Sequence, residues 1–161
     1  GHLAEVKNQS YLIRLMPKLL KRNPKAILLL LGDGDDKEKL CNLTAELGLQ
    51  EHVLMMGNVF NVNEFLSAMD VFAFPSLYEG LPLSIVEVQS NGLPCIISDR
   101  VPKDVFVTDL LTPCPLENED TWIEAICMSR RTDCEKYSAL VRKSGMDARD
   151  FIEKIYSLYG V

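Results

Sequence analysis

The sequence predicts an α/β domain built on a doubly wound parallel sheet with helices on both faces. Two observations predict it. Four short apolar runs recur along the first hundred residues, beginning near Ala26, Val53, Val71 and Cys95. Segments with helical apolar spacing lie between them, so strands and helices alternate, which implies βαβ crossovers and a covered parallel sheet. Parallel strands are buried on both faces and read as continuous apolar runs.

The elements follow in order. Asn8 to Arg22 places Tyr11, Leu12, Leu15, Leu19 and Leu20 at helical spacing. "AILLLLGDG" is the first buried strand and ends in glycines. Lys37 to Leu47 is a helix, charged outside and apolar inside, with Gly48 as its stop. "HVLMMGN" is the second strand and Val62 to Met69 a shorter helix. "DVFAFPS" is the third strand. Pro82 to Asn91 is a helix with Pro82 at its first position and Gly92 just past its end. "PCIISD" is the fourth strand. Arg100 to Asn118, with three prolines, reads as one long connection. Glu119 to Arg131 and Asp133 to Tyr159 read as mostly helical, the latter closing on Phe151, Ile152, Ile155, Tyr156 and Tyr159. No repeat or internal boundary appears, so residues 1–161 are read as a single domain.

Bulk composition narrows the function. The 161 residues suffice for a full core. The net charge of −6 argues against a general nucleic-acid binder, and no nucleic-acid partner is expected. Five cysteines without CxxC spacing read as free, mostly buried thiols of a reducing compartment. No apolar run is long enough to span a bilayer. The chain starts with Gly rather than Met and reads as a piece of a longer polypeptide, Gly1 and His2 being either native or a cloning remnant.

Several chemistries find no support. "LLGDGDDKE" lacks the third glycine of a dinucleotide fingerprint and the Gly-Lys-Ser/Thr of a P-loop. Asp33, Asp35 and Asp36 read as turn and cap residues before the Lys37 helix, with a magnesium site as the alternative. The two histidines, His2 and His52, have no metal-binding spacing, and no Gly-x-Ser-x-Gly elbow is present.

One stretch is richer. In "PSLYEGLPLSIVEVQSNGLPCIISD", Glu79 and Glu87 flank a Gly-Leu-Pro turn. With Pro82 opening the helix, the N–H groups of Leu83, Ser84 and Ile85 lack intrahelical partners and suit an anion such as a pyrophosphate. Gly80 admits close approach of a ligand to the backbone. Glu87 suits a vicinal diol such as a ribose, one carboxylate oxygen per hydroxyl. Glu79 suits a sugar hydroxyl beyond the pyrophosphate. The competing readings are a solvated turn residue for Glu79 and a surface position for Glu87. Apolar Leu83, Ile85, Val86 and Val88 around Glu87 predict a buried helix, where a carboxylate needs a partner or ligand. Lys7, just before the first helix, is either a surface lysine or a point charge for a leaving diphosphate.

"FPSLYEGLPLSIVEVQSNGLPCIISD" closely resembles the Glu-x7-Glu region of retaining GT-B glycosyltransferases of the family 4 or group 1 type. "VKNQSYLI", "ILLLLGDGDDKEKL", "LGLQEHVLMMGNV" and "FLSAMDVFAFPS" resemble that family's carboxyl-terminal domain in the same order, and "SDRVPKDV" through "TWIEAI" looks like the branch making capsular or exopolysaccharide. "FIEKIYSLYGV" resembles its closing helix. The resemblance implies one Rossmann-like half of a two-domain enzyme: the donor-binding half, without the amino-terminal acceptor domain. It implies that Glu87 binds ribose hydroxyls and Glu79 contacts the donor sugar. Gly80, Leu81, Pro82, Leu83 and Ser84 would hold sugar and diphosphate through their backbone, Lys7 the diphosphate, and Gly57, Asn58 and Val59 the base. It implies metal- and cofactor-independent transfer from a nucleotide diphosphate sugar to a saccharide or lipid-linked acceptor, in the cytoplasm or at the inner face of the membrane, with no turnover by this piece alone. The family usually carries arginine where this chain has His2. The alternatives are a GT-B-like nucleotide-sugar epimerase and a non-catalytic nucleotide-sugar-binding module.

Overall fold

Strand β4, Cys95–Ser98, shows how the chain is layered. All four of its residues are buried. Ile96 joins one apolar cluster, while Cys95 and Ile97 join another on the opposite face. Alternation along the strand therefore sends successive side chains into two cores. The structure is a computed structural model that describes residues 1–146.

Six helices and four further strands accompany β4 among the described residues. In chain order they are α1 (Gln9–Arg22), β1 (Leu28–Leu31), α2 (Lys37–Glu46), β2 (Val53–Gly57), α3 (Val62–Ala68), β3 (Phe72–Phe74) and α4 (Leu83–Ser90), then, after β4, β5 (Leu111–Cys114), α5 (Glu119–Met128) and α6 (Cys134–Lys143). Every strand pairing among them is parallel. Helices α1, α2 and α5 cover one face through Ile13, Leu15, Leu40, Leu43, Trp122 and Ile123. Helices α3, α4 and α6 cover the other through Leu66, Ile85, Val88 and Tyr137. The predicted α/β layering is present.

The backbone ladders divide the strands into two sheets, β1–β2 and β3–β4–β5. Strands β1 and β3 are mostly half-buried, in contrast to β4. Leu28 and Leu30 of β1 still meet Ala73 of β3, and Val71 just before it, in one cluster.

Some element assignments change. Arg100 to Asn118 is not a single connection: it contains a 3-10 turn at Lys103–Val105 and strand β5, whose Leu111 to Cys114 pair with Cys95 to Ser98. The prolines masked it. Pro113 sits inside β5, where it is tolerated because β5 pairs with β4 alone among the described strands. Among the described residues the segment after Asp133 forms α6, which ends at Lys143 before Gly145 at φ 73°. The closing-helix residues Phe151 to Tyr159 lie outside the described residues. Helix α5 ends at Met128, short of Arg131, whose guanidinium instead caps α3 and α4 by donating to the carbonyls of Leu66, Met69 and Asn91.

The five cysteines are free, but not mostly buried: Cys95 and Cys114 are buried, Cys127 is half-buried, and Cys41 and Cys134 are exposed. Burial pushes the Cys95 thiol from its ordinary 9.0 to about 12. Burial, and then the charges of Glu119, Cys114 and Glu117, push the Tyr11 hydroxyl from 10.0 to about 12. Both groups hold their protons more tightly folded than unfolded. Their contribution to stability is complete below the unfolded values of 9.0 and 10.0 and is lost as pH rises toward about 12. The denaturation midpoint is therefore expected to fall steadily through that alkaline window. At neutral pH a thiol reagent is expected to label Cys41 and Cys134 in the native chain and Cys95 only after unfolding.

Candidate functional site

Residues 1–8 form a ribbon between the two sheets. On one side the nitrogen of Gly1 donates to Leu31 O at 2.6 Å, and the N–H of Leu3 donates to Asp33 O at 2.9 Å. On the other side the N–H of Leu77 donates to Val6 O at 2.8 Å, and Asn8 Nδ2 donates to Pro75 O at 3.2 Å. Asn8 makes the bend into α1 at φ 54°, a left-handed conformation that asparagine tolerates. The ribbon thus carries Lys7 to the carboxyl end of β3.

There Lys7 meets Glu79. Lys7 Nζ donates to both carboxylate oxygens, at 2.7 and 2.9 Å. Ser76 Oγ lies 2.6 Å from Glu79 Oε1. The Glu79 side chain is 9% exposed and that of Lys7 29%. The Phe74 ring lies 5.6 Å from the ammonium, within cation–π range. Glu79 is therefore no solvated turn residue. It joins two segments 72 positions apart. Ser76, wholly buried, is a site residue that the sequence reading missed. A serine after an apolar strand carries no local signal of such a role.

Helix α4 departs from expectation in two ways. Pro82 stands at the N-cap, not the first helical position, and its carbonyl accepts the N–H of Ile85 at 3.0 Å. Of the three amides predicted to be open, those of Leu83 and Ser84 have no partner among the described residues and that of Ile85 does. Glu87, predicted to be buried, is exposed, in agreement with the competing reading of a surface position on the helix. Positions 83, 84 and 87 share one side of the helix, and Leu83 and Ser84 are exposed with it. Ile85, Val86, Val88 and Gln89 face inward. The buried polar group of this helix is Gln89, which sequence reading overlooked. Its amide donates to Ile85 O and Val105 O and accepts from Thr108 N and Oγ1, so the helix is tied to the 105–108 loop.

Glu87 nevertheless stands at the same end of the molecule as Lys7. Lys7 and Glu87 both lie within electrostatic reach of Gly1, at the start of the ribbon. Both charges are thus felt at the ribbon. Between them the turn is open: Gly80 and Leu81 are exposed, and Pro82 is buried. The β2 end lies nearby in the fold. Gly57 takes φ 67° and accepts the N–H of Gly32 at 2.7 Å. Asn58 is exposed, Val59 half-exposed, and Phe60 after them fully exposed.

The acidic loop serves the turn it occupies. Asp33 Oδ1 accepts the N–H of Gly34 at 2.9 Å and Oδ2 accepts Lys37 Nζ at 2.8 Å. That Lys37 bond, then the Gly34 bond, holds the Asp33 carboxyl below its usual range. Asp36 occupies the N-cap position without a side-chain cap bond. A Cβ on Gly34 would collide with the carbonyl of Leu3 and stand 2.7 Å from its nitrogen. The second glycine of the Gly-x-Gly therefore makes room for the ribbon, not for a dinucleotide. His2 is exposed beside Gly34, and its carbonyl accepts Gln9 Nε2 at 2.9 Å.

Comparison with known proteins adds to this geometry. The family model described as "Glycosyl transferases group 1" matches residues 1–113. The chain is 33% identical over its whole length to the putative glycosyltransferase EpsF of Bacillus subtilis (strain 168), of which it covers 44%. It is 36% identical over 102 residues, 62% of the chain and 26% of the relative, to the UDP-Gal:alpha-D-GlcNAc-diphosphoundecaprenol alpha-1,3-galactosyltransferase of Escherichia coli. Among solved structures, Anabaena HepE in complex with UDP superposes with a TM-score of 0.77 at 19% identity, over 100% of this chain and 47% of that one. The pneumococcal O-GlcNAc transferase GtfA in complex with UDP and GlcNAc gives 0.76 at 21%, over 98% and 33%. The chain thus spans less than half the length of these relatives, and the structural matches carry the same fold.

Proposed function

The chain belongs to the group 1 glycosyl transferases, and from that premise we infer that it is the donor-binding part of a retaining enzyme. The parent would move a sugar from a nucleotide diphosphate sugar to a saccharide or lipid-linked acceptor in surface polysaccharide synthesis, on the cytoplasmic side of the membrane. The relatives support this reading: one is named for transfer from UDP-Gal to a diphosphoundecaprenol-linked sugar, and the two structural neighbours hold UDP. The observation that carries it is the meeting of Lys7 and Glu79 beside the start of α4.

In this reading the open amides of Leu83 and Ser84 and the α4 dipole hold the diphosphate. Lys7 faces the charge that develops on the leaving phosphate. Glu87, on the exposed side of α4, takes the ribose diol. Gly57, Asn58 and Val59 lie along the base. Glu79 and the backbone of Gly80 to Pro82 face the sugar. No metal or cofactor is required. The exposure of Glu87 fits a ligand-facing carboxylate on an open cleft wall, and such a half-cleft is expected to bind nucleotide weakly and not to turn over.

Titration of the chain with UDP, GDP and their sugars, followed by NMR or calorimetry, tests the reading. One nucleotide series is expected to bind, and its 2′-deoxy analogue to bind about tenfold more weakly, the worth of one charge-assisted hydrogen bond. Glu87→Ala is expected to remove that difference. A difference that survives the substitution would count against the assignment of Glu87.

A further inference from the structure

The Lys7–Glu79 pair has a consequence for which anion the site prefers. This inference rests on the donor-site reading. Glu79 places both oxygens on the one lysine of the site, and Ser76 fixes one of them. The positive charge is therefore neutralised before any ligand arrives. With Glu87 at the same end, the side chains of the site sum to one negative charge: Lys7 against Glu79 and Glu87. The Gly1 ammonium lies close by and is common to every variant of these residues.

We propose that Glu79 is a specificity-determining residue that disfavours a free nucleotide diphosphate relative to the same diphosphate capped by a sugar. A carboxylate held 9% exposed against Lys7 screens that lysine and repels an extra charge placed near it. A nucleoside diphosphate ends in a terminal phosphate with a second pKa of about 6, so near neutral pH it carries one more negative charge than its sugar ester. That charge lies at the sugar end of the ligand, the end nearer Glu79. The sugar ester brings hydroxyl donors there instead, which a carboxylate accepts. The product of transfer is thus disfavoured against the donor, which limits retention of spent nucleotide. Two unit charges several ångströms apart at an intermediate dielectric differ by about tenfold in affinity.

The test compares UDP with UDP-glucose, and GDP with GDP-mannose, on the wild-type chain and on Glu79→Gln at about pH 8, where the terminal phosphate is fully ionised. In the series that binds, Glu79→Gln is expected to bind the free diphosphate about tenfold more tightly and the sugar ester no more tightly than wild type. Weaker binding of the free diphosphate would overturn the proposal, because it would make Glu79 an orienting partner of Lys7. An unchanged ratio would overturn it as well. If neither series binds the wild-type chain, the donor-site reading falls and takes this inference with it. Should Glu79→Gln not fold, Lys7→Gln is compared with the double variant K7Q/E79Q, in which two neutral amides replace the pair. The double variant is expected to bind the free diphosphate more tightly than Lys7→Gln, and equal or weaker binding would overturn the proposal.

Discussion

Lys7→Met is expected to destabilise the chain and to remove most of its affinity for nucleotide diphosphates. Methionine keeps much of the apolar stem but withdraws both hydrogen bonds from Glu79. The carboxylate, 9% exposed, then keeps Ser76 alone as a partner among the described residues. Breaking a buried pair from one side costs about 3–5 kcal/mol, and the partial exposure of Lys7 brings the expectation to about 2 kcal/mol. Binding suffers separately. The phosphates lose a point charge and face an unscreened Glu79, so affinity should fall roughly thirtyfold. Urea denaturation measures the first effect and calorimetric titration the second. Wild-type stability in the variant would show that the pair does not hold the ribbon to the β3–α4 turn.

Trp122→Ala is expected to be the most damaging single change to the fold. The side chain is wholly buried, donates from Nε1 to Pro115 O at 3.0 Å, and stands edge-on to Tyr11 at 5.4 Å. It fills the space between α1 and α5 in the larger cluster. Truncation of a buried tryptophan costs about 3–5 kcal/mol, through lost burial and an unfilled cavity. For a chain of this size that corresponds to a fall in Tm of roughly 10 °C. Trp122→Phe retains the ring contact and loses mainly the hydrogen bond, so about 1 kcal/mol is expected. A scanning calorimetry trace for each variant checks the order, and equal losses for the two would contradict the cavity argument.

Much of this architecture is legible in the sequence. The runs at Leu28, Val53, Phe72 and Cys95 read as strands because parallel strands are apolar on both faces. Gly48 and Gly92 read as helix stops, and both take positive φ there. The strand at Leu111 is hidden by Pro113, which local rules count against a strand and an edge position permits. The site is legible in its local part, the turn between Glu79 and Glu87. Two properties are not. The apolar neighbours of Glu87 in sequence imply its burial, whereas its exposure follows from which side of α4 Gln89 occupies. The pairing of Lys7 with Glu79 depends on a ribbon that tertiary packing routes past Gly34, and no window around either residue contains it.

That ribbon gives the molecule an unusual mechanical arrangement. With no backbone ladder joining β1–β2 to β3–β4–β5 among the described residues, the two sheets meet along a seam of side chains, and residues 1–8 act as a strap bonded to both banks. A ligand that grips the turn after β3 and residues 57–59 at the end of β2 at once would span both banks. Ligand occupancy and the rigidity of the seam are then linked quantities, each reporting on the other through the stabilisation that any native-state ligand confers.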